Sequence, residues 1–126
     1  MADNFTYPKT EKLKSRKLIE EIFAKGKSFN MFPLKVFYMM VSGAVQPLQA
    51  GVGVSSRNFK KAVDRNRIKR LLREAYRLNK SELQATLALH NNQAILFFLY
   101  VGKEMPDFDI ANDKMKLVLK KVAAVC

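Results

Sequence analysis

The sequence predicts an α+β fold in which helices cover one face of a small sheet. Two observations lead to this class. Four segments carry apolar residues at helical spacing, while three others are short, apolar and rich in β-forming residues. The helical and extended segments do not alternate regularly along the chain, which is typical of α+β proteins. The length of 126 residues suits one domain, residues 1–126, with an irregular N-terminal arm at 1–12.

The first half of the chain predicts one helix and two strands. The helix begins at a capping Ser15 and ends near Lys25, and Gly26 stands where a left-handed residue would end it. A strand follows at 33–41, and another is predicted at 48–56. The first strand would place Leu34, Val36, Tyr38 and Met40 on one face and Lys35, Phe37 and Met39 on the other.

The second half predicts three helices and a third strand. One helix runs from a capping Asp64 to about Leu78, and another covers 81–90 with Ser81 as its cap. The apolar run at 94–101 has the length of a strand. In the last helix the apolar residues fall at positions i, i+3, i+4 and i+7 and would pack it onto the sheet; they are Met115, Val118, Leu119 and Val122.

The charge of the chain predicts a polyanionic partner. There are 23 Lys and Arg against 11 Asp and Glu, a net charge of +12. Such an excess costs stability through self-repulsion unless a nucleic acid, or less readily an anionic membrane, neutralises it. The single cysteine, Cys126, excludes an internal disulfide, and the N-terminus lacks the apolar segment of a signal peptide. No window has the length of a spanning helix, and these features together predict a cytoplasmic protein.

Residues 57–80 concentrate this charge, with ten Lys and Arg against two acids. On a helical projection Ile68, Leu71, Leu72, Ala75 and Leu78 form an apolar sector, and Tyr76 lies at its border. The cations cover a neighbouring sector, except Arg67, which lies on the other flank. Like charges at i and i+4 cost a few tenths of a kcal/mol each, so a merely solvated surface does not explain them. Phosphate binding does, and the predicted RNA-binding residues are Arg57, Lys60, Lys61, Arg65, Asn66, Arg67, Lys69, Arg70, Arg73 and Arg77.

The remaining polar residues predict no catalytic or metal site in the protein. His90 is the only histidine and has no second ligand beside it, so we interpret it as a helix-end residue. Paired carboxylates, a Ser–His arrangement and a glycine-rich phosphate loop are all missing from the sequence. The sequence therefore shows no independent active site in the protein.

At the basic segment the sequence resembles a known family. The stretch "KKAVDRNRIKRLLREAYR" (60–77) is similar to the signature of the bacterial ribonuclease P protein component, with Arg65, Asn66 and Arg67 as its Arg-Asn-Arg triplet. "KLKSRKLIEEIFAKGKSF" resembles the family's first helix, which ends in Phe-x-x-Gly. The resemblance extends from about residue 9 to 122. Where the family usually has Ser-Lys-Lys, this chain has Ser55-Ser56-Arg57-Asn58, with one extra residue.

The resemblance implies a fold and a function. The fold would be a small α/β sandwich with a mixed sheet of about four strands, and its left-handed βαβ crossover would contain the Arg-Asn-Arg helix. The function would be that of the small subunit of an endoribonuclease, whose catalytic RNA removes the 5′ leader of precursor tRNA with Mg²⁺ held mainly by RNA. The protein would bind both RNAs, with neither membrane nor DNA as a partner. By position, the leader cleft would contain Ile19, Phe23, Lys35 and Phe37.

The residues themselves leave other interpretations open. Phe23 lies at helical spacing with Ile19 and fits either the core or a cleft wall, and Tyr38 and Tyr76 fit the core better than a ligand site. A non-catalytic ribosomal or general RNA-binding protein would use the same basic residues. A DNA-binding helix-turn-helix at 64–90 is less compatible with the flanking strands. A peripheral membrane protein would need an exposed apolar face beside the cations.

Overall fold

Four helices and four strands form the parts of the chain that the computed structural model describes, residues 16–41, 48–90 and 92–125. They confirm the predicted α+β class and the sheet of about four strands that the resemblance implies, one strand more than the three assigned along the chain. The predicted arm at 1–12, Ser15 and Cys126 lie outside the described residues. In chain order the elements are α1 (Arg16–Lys25), β1 (Lys27–Met31), β2 (Leu34–Val41), β3 (Leu48–Val54), α2 (Ala62–Asn79), α3 (Ser81–Leu89), β4 (Gln93–Tyr100) and α4 (Phe108–Val125).

The strands form one mixed sheet in the order β1-β2-β4-β3. The pairs β1–β2 and β2–β4 are antiparallel, and β3 runs parallel to β4 at the opposite edge from β1. The parallel pair requires a crossover connection, which α2 and α3 supply. The left hand of this crossover, implied by the family resemblance, remains a prediction.

One face of the sheet, here called the closed face, packs against α2, α3 and α4 and forms the main core. Because side chains alternate along a strand, every second residue of each strand points into it. Val36, Leu96 and Phe98 have no exposed surface there. The predicted packing residues of α4, Met115, Val118, Leu119 and Val122, are all buried in this core.

The other face of the sheet, here called the open face, carries α1. This corrects the prediction that the helices cover one face only. Ile22 of α1 and Ile95 of β4 are fully buried against each other, and Leu18, Ile19 and Phe97 pack around them only partly buried. A single ten-residue helix cannot cover four strands, so much of the open face keeps contact with solvent.

The first turns of α2 and α3 differ from the predicted caps. α2 begins at Ala62, two residues before Asp64, and Lys61 occupies the cap position with extended backbone, at φ −81° and ψ 128°. Asp64 therefore lies in the first turn, where its carboxylate still favours the positive end of the helix dipole. Lys80, the only residue between the two helices, stays in the helical region, so Ser81 is the first residue of α3 and cannot be its cap.

The prediction that Gly26 ends α1 in a left-handed conformation is also wrong. The backbone of Gly26 lies outside the left-handed region, and its N–H donates to the Ile22 carbonyl at 3.0 Å. A side chain at this position would lie 2.9 Å from Ile22 Cγ1 and 3.0 Å from the Tyr38 carbonyl oxygen. Glycine is therefore needed for the close approach of α1 to β2 and not for a left-handed turn.

Candidate nucleic-acid interface

Three phenylalanines meet where α1 crosses the open face. The ring of Phe23, on α1, lies 4.7 Å from Phe37 and 5.1 Å from Phe97, between centroids, and both pairs are edge-to-face. Phe23 nevertheless keeps 46% of its surface exposed. It is therefore neither a core residue nor an isolated surface residue, but the exposed wall of an aromatic cluster that we call the aromatic cleft.

The other predicted cleft residues lie beside this cluster. Ile19, one turn before Phe23, is partly buried in the same apolar group. Lys35 and Phe37 share the open face of β2, and the Lys35 ammonium lies 5.4 Å from the centre of the Phe37 ring. The structure thus brings Ile19, Phe23, Lys35 and Phe37 together, as predicted. A cation at an aromatic surface can contact a phosphate while the ring contacts a base.

Sequence reasoning missed two contributors to the cleft, Phe97 and Gly53. Phe97 is the first of two adjacent phenylalanines in a continuous apolar run, and nothing in that run indicates which of the two points to which face. At Gly53 an added Cβ would lie 2.9 Å from the Phe97 ring. The glycine, which has no side chain, therefore lets the Phe97 ring lie across β3.

α2 presents the basic residues by burying its opposite side. Ile68, Leu72, Ala75 and Tyr76 are buried in the main core, which confirms the predicted anchoring and places Tyr76 inside it. Leu78, assigned to the apolar sector, is instead 38% exposed. The predicted RNA-binding residues, here called the basic patch, lie on the outer side of α2 and on the connector before it. Seven of them are exposed, namely Arg57, Lys60, Lys61, Asn66, Arg67, Arg70 and Arg73, whereas Arg65, Lys69 and Arg77 are half-buried.

The connector between β3 and α2 is held by specific contacts. The Asn58 side-chain amide donates to the carbonyls of Val101 and Gly102 at 3.2 and 3.3 Å, which joins the connector to the end of β4. Phe59 is buried nearby, with its ring 5.9 Å from that of Tyr100. Asn58 belongs to the stretch 55–58 that differs from the expected Ser-Lys-Lys, and its amide anchors this stretch.

Arg65 also contributes to this anchoring. One nitrogen of its guanidinium, Nη1, donates to the carbonyls of Phe59 and Lys60 at 2.8 and 2.7 Å. The side chain therefore folds back over the connector and does not extend straight into solvent like the exposed arginines of α2. Its charge still belongs to the basic patch, but part of its hydrogen-bonding capacity is used to hold Lys60 in place.

Arg77 is the patch residue with an acidic partner on the same helix. Its Nε donates to Glu74 Oε2 at 3.1 Å, and its Nη2 contacts the other carboxylate oxygen. The hydrogen bond from Arg77 lowers the pKa of Glu74 against a small opposing effect of burial. The same bond raises the pKa of Arg77. Part of the charge of Arg77 is thus neutralised within the protein.

The chain matches the model of the Ribonuclease P family over residues 7–123. The chain belongs to the ribonuclease P protein family. A ribonuclease P protein component from Porphyromonas gingivalis W83 is 39% identical over 120 residues, covering 94% of this chain and 88% of the relative. One from Chlorobium phaeobacteroides is 34% identical over 128 residues, covering 90% of this chain and 86% of the relative.

Solved structures of RNase P proteins have the same fold. The Thermotoga maritima protein superposes with a TM-score of 0.68 at 25% identity, covering 88% of this chain and 96% of that one. The Staphylococcus aureus protein gives 0.71 at 20% identity, covering 89% and 94%. The fold expected from the resemblance to the ribonuclease P protein family is therefore confirmed, as a mixed four-stranded sheet between helices.

Proposed function

We propose that this chain is the protein subunit of a bacterial ribonuclease P and assists a catalytic RNA in removing the 5′ leader of precursor tRNA. The observation that carries the proposal is family membership across almost the whole chain. It is supported by two surfaces that differ in chemistry, a cationic helix side and an aromatic cleft. A cytoplasmic location, where precursor tRNA is made, accompanies this function; no helix in the described ranges is long and apolar enough to cross a membrane.

The basic patch binds the phosphates of the catalytic RNA in this proposal. Its exposed arginines can each donate two parallel hydrogen bonds to a phosphate, and every cation that meets a phosphate releases condensed counterions. The buried side of α2 holds these cations on one rigid surface, since Ile68, Leu72 and Ala75 fix the helix to the sheet. Rigid presentation suits a folded RNA better than the diffuse charge of a membrane surface.

The aromatic cleft binds the single-stranded leader in this proposal. Unpaired bases stack on aromatic side chains with little dependence on sequence, which is the requirement for a leader that varies between precursors. The half-exposed Phe23 ring and its neighbours Phe37 and Phe97 supply the platform. Lys35, close to the Phe37 ring, supplies a charge for the backbone between the stacked bases.

The chemistry belongs to the catalytic RNA in this proposal, and the Mg²⁺ ions are held mainly by RNA phosphates. Among the described residues, no group of three or more His, Cys, Asp or Glu could hold a metal, and the cationic basic patch repels Mg²⁺. The protein instead stabilises the complex of RNA and substrate. If that complex creates the metal sites, its stabilisation also raises their affinity for Mg²⁺, by linkage.

Reconstitution with the cognate catalytic RNA tests the proposal. Cleavage of precursor tRNA is measured at low Mg²⁺ with and without the protein, and the protein should raise both the rate and the substrate affinity. Lys120→Gln is the control, since it removes one exposed cation of α4 outside the basic patch; Arg70→Gln should weaken assembly more than this control does. A protein that changes neither rate nor affinity, yet crosslinks to cellular RNA, would instead be a general RNA-binding protein.

A further inference from the structure

A groove of about 850 Å³ lies at one end of the sheet, lined by none of the residues that form the aromatic cleft. Its walls come from the turn between β1 and β2, the loop at 101–107 and the first turns of α4. We call it the end groove. It has the size of a ligand site, which commonly measures roughly 300–1,000 Å³.

The end groove gathers apolar side chains that the fold leaves exposed. Phe32, on the two-residue turn between β1 and β2, is 70% exposed, Ile110 is 50% exposed and Met105 is 38% exposed. All three line the groove. A large aromatic ring held on a tight turn and left in water has no role in the core, and grouped exposure of this kind marks a binding surface.

The charged residues around the groove have different roles. Lys103 and Lys114 stand on two separate walls, the loop and α4. Asp107 accepts a hydrogen bond from the Ile110 N–H at 2.9 Å, so its carboxylate serves the first turn of α4. The backbone carbonyl of Glu104 accepts a hydrogen bond from the Tyr100 hydroxyl at 2.5 Å, and this bond fixes the loop at 101–107 to β4. Two lysines and two acidic residues, Glu104 and Asp107, therefore surround the apolar centre, and the loop that carries three of them is firmly held.

The end groove is joined directly to the connector of the basic patch. The carbonyls that accept from the Asn58 amide, those of Val101 and Gly102, belong to residues that line the groove. Tyr100, another lining residue, packs against Phe59 of the connector. An RNA that lies on Arg57, Lys60 and Lys61 therefore reaches the rim of the groove along one continuous, rigid piece of the protein.

We propose that the end groove takes one unpaired nucleotide of the catalytic RNA, whose base stacks on Phe32. A nucleotide suits the chemistry because its base is flat and apolar on its faces, while a phosphate lies on its 5′ and on its 3′ side. Phe32, Met105 and Ile110 contact the base, and Lys103 and Lys114 contact the two phosphates. The catalytic RNA is the source because the groove continues the surface assigned to it. The proposal rests on the proposed function.

Substitutions of Phe32 test the stacking in the reconstituted holoenzyme. Phe32→Ala should weaken binding of the cognate catalytic RNA by about tenfold, and Phe32→Leu should do nearly the same because it keeps an apolar side chain but removes the ring. Phe32→Trp should bind within about twofold of the wild type. Leu89→Ala is the matched control, since Leu89 is 81% exposed at the end of α3, outside the groove, and it should leave the affinity unchanged.

Chemical probing of the unpaired bases in the catalytic RNA locates the nucleotide. One base should be protected from the chemical probe when the wild-type protein is bound, and should react with the probe when the Phe32→Ala variant is bound. Unchanged affinity in Phe32→Ala would overturn the inference, and so would full affinity in Phe32→Leu, which indicates an apolar contact without stacking. If the wild-type protein stimulates cleavage and the Phe32 variants behave like it, only this inference fails. If the wild-type protein has no effect on cleavage, the proposed function itself fails.

Discussion

The two faces of the sheet are built from the same strands and differ in how completely they are covered. On the closed face, Phe98 is fully buried beneath three helices. On the open face, the preceding residue of the same strand, Phe97, is only half-buried and contacts the exposed ring of Phe23. One strand thus contributes alternate residues to stability and to a binding surface. The aromatic cleft is therefore a second apolar core that α1 covers only in part.

α2 shows the same division around one helix. Its inner side is closed, and Tyr76 packs against Phe98 with ring centres 5.7 Å apart. Its outer side presents cations, and only some of them have their bonding completed within the protein: Arg77 pairs with Glu74 and Arg65 holds the connector. We therefore expect binding to depend most on the residues that the fold leaves least satisfied.

The largest expected effect is on the closed face. Phe98→Ala should lower the free energy of unfolding by about 3–5 kcal/mol, because it removes a fully buried ring and leaves a cavity. Phe97→Ala should cost only about 1 kcal/mol, since its ring is half-buried. Urea unfolding curves of the two variants give the comparison directly. Equal losses would mean that the two faces do not differ in the way described.

The next effect concerns the open face. Phe37→Ala should weaken binding of precursor tRNA to the holoenzyme by about tenfold through the loss of one stacking platform, and leave mature tRNA unaffected. Phe29→Ala is a matched control, because Phe29 also has an aromatic neighbour, Tyr38 at 6.0 Å, and a lysine, Lys121 at 4.6 Å, but points to the closed face. Equilibrium binding of both tRNAs is the measurement. An equal loss in both variants would count against a specific role for the aromatic cleft.

The smallest effect distinguishes two arginines of α2. Arg73→Gln should reduce the slope of log affinity for the catalytic RNA against log salt by about 1. Arg77→Gln should reduce it less, because Glu74 already neutralises part of that charge. Titration of RNA binding at several salt concentrations measures both. Equal slopes for the two variants would mean that the pair with Glu74 opens when RNA binds.

The pair also predicts a dependence on pH. Arg77 lowers the pKa of Glu74 in the folded protein. The ion pair therefore stabilises the folded state fully at pH values above the ordinary pKa of a glutamate. This stabilisation is lost as the pH falls through the lowered pKa of Glu74. Both side chains are partly exposed, so the effect should be small and should weaken with salt. Comparison of wild type and Glu74→Gln by urea unfolding between neutral and acidic pH measures it.

The sequence allowed prediction of the elements in which a polar residue or the helical spacing marks one face. β2 separates Val36 from Phe37 by simple alternation, and α4 and α2 show their apolar sides at helical spacing. β4 is apolar on both sides because both faces of the sheet are covered there, so its run contains no alternation to read. For that reason Phe97 could not be assigned to the cleft. The position of α1 on the second face was implied only by the family resemblance, which placed Ile19 and Phe23 in one cleft with Phe37.

Other features depend on contacts between distant segments. β1 is a short edge strand with Lys27, Ser28 and Asn30, and it forms because β2 offers it a partner. The residues of the basic patch were predicted from charge spacing alone. The hydrogen bonds from Arg65 to two connector carbonyls could not be predicted in this way, because they depend on the path of the connector. The pair of Arg77 and Glu74, three residues apart on one helix, could have been found from the spacing.

The most direct test of the account compares precursor with mature tRNA. The affinity of the catalytic RNA for each is measured with and without the protein, using one tRNA body with and without its leader. The protein should raise the affinity for the precursor much more than the affinity for the mature tRNA. The double variant Phe23→Ala with Phe37→Ala should remove most of this difference. An equal rise for both tRNAs, unaffected by that variant, would contradict the assignment of the open face to the leader.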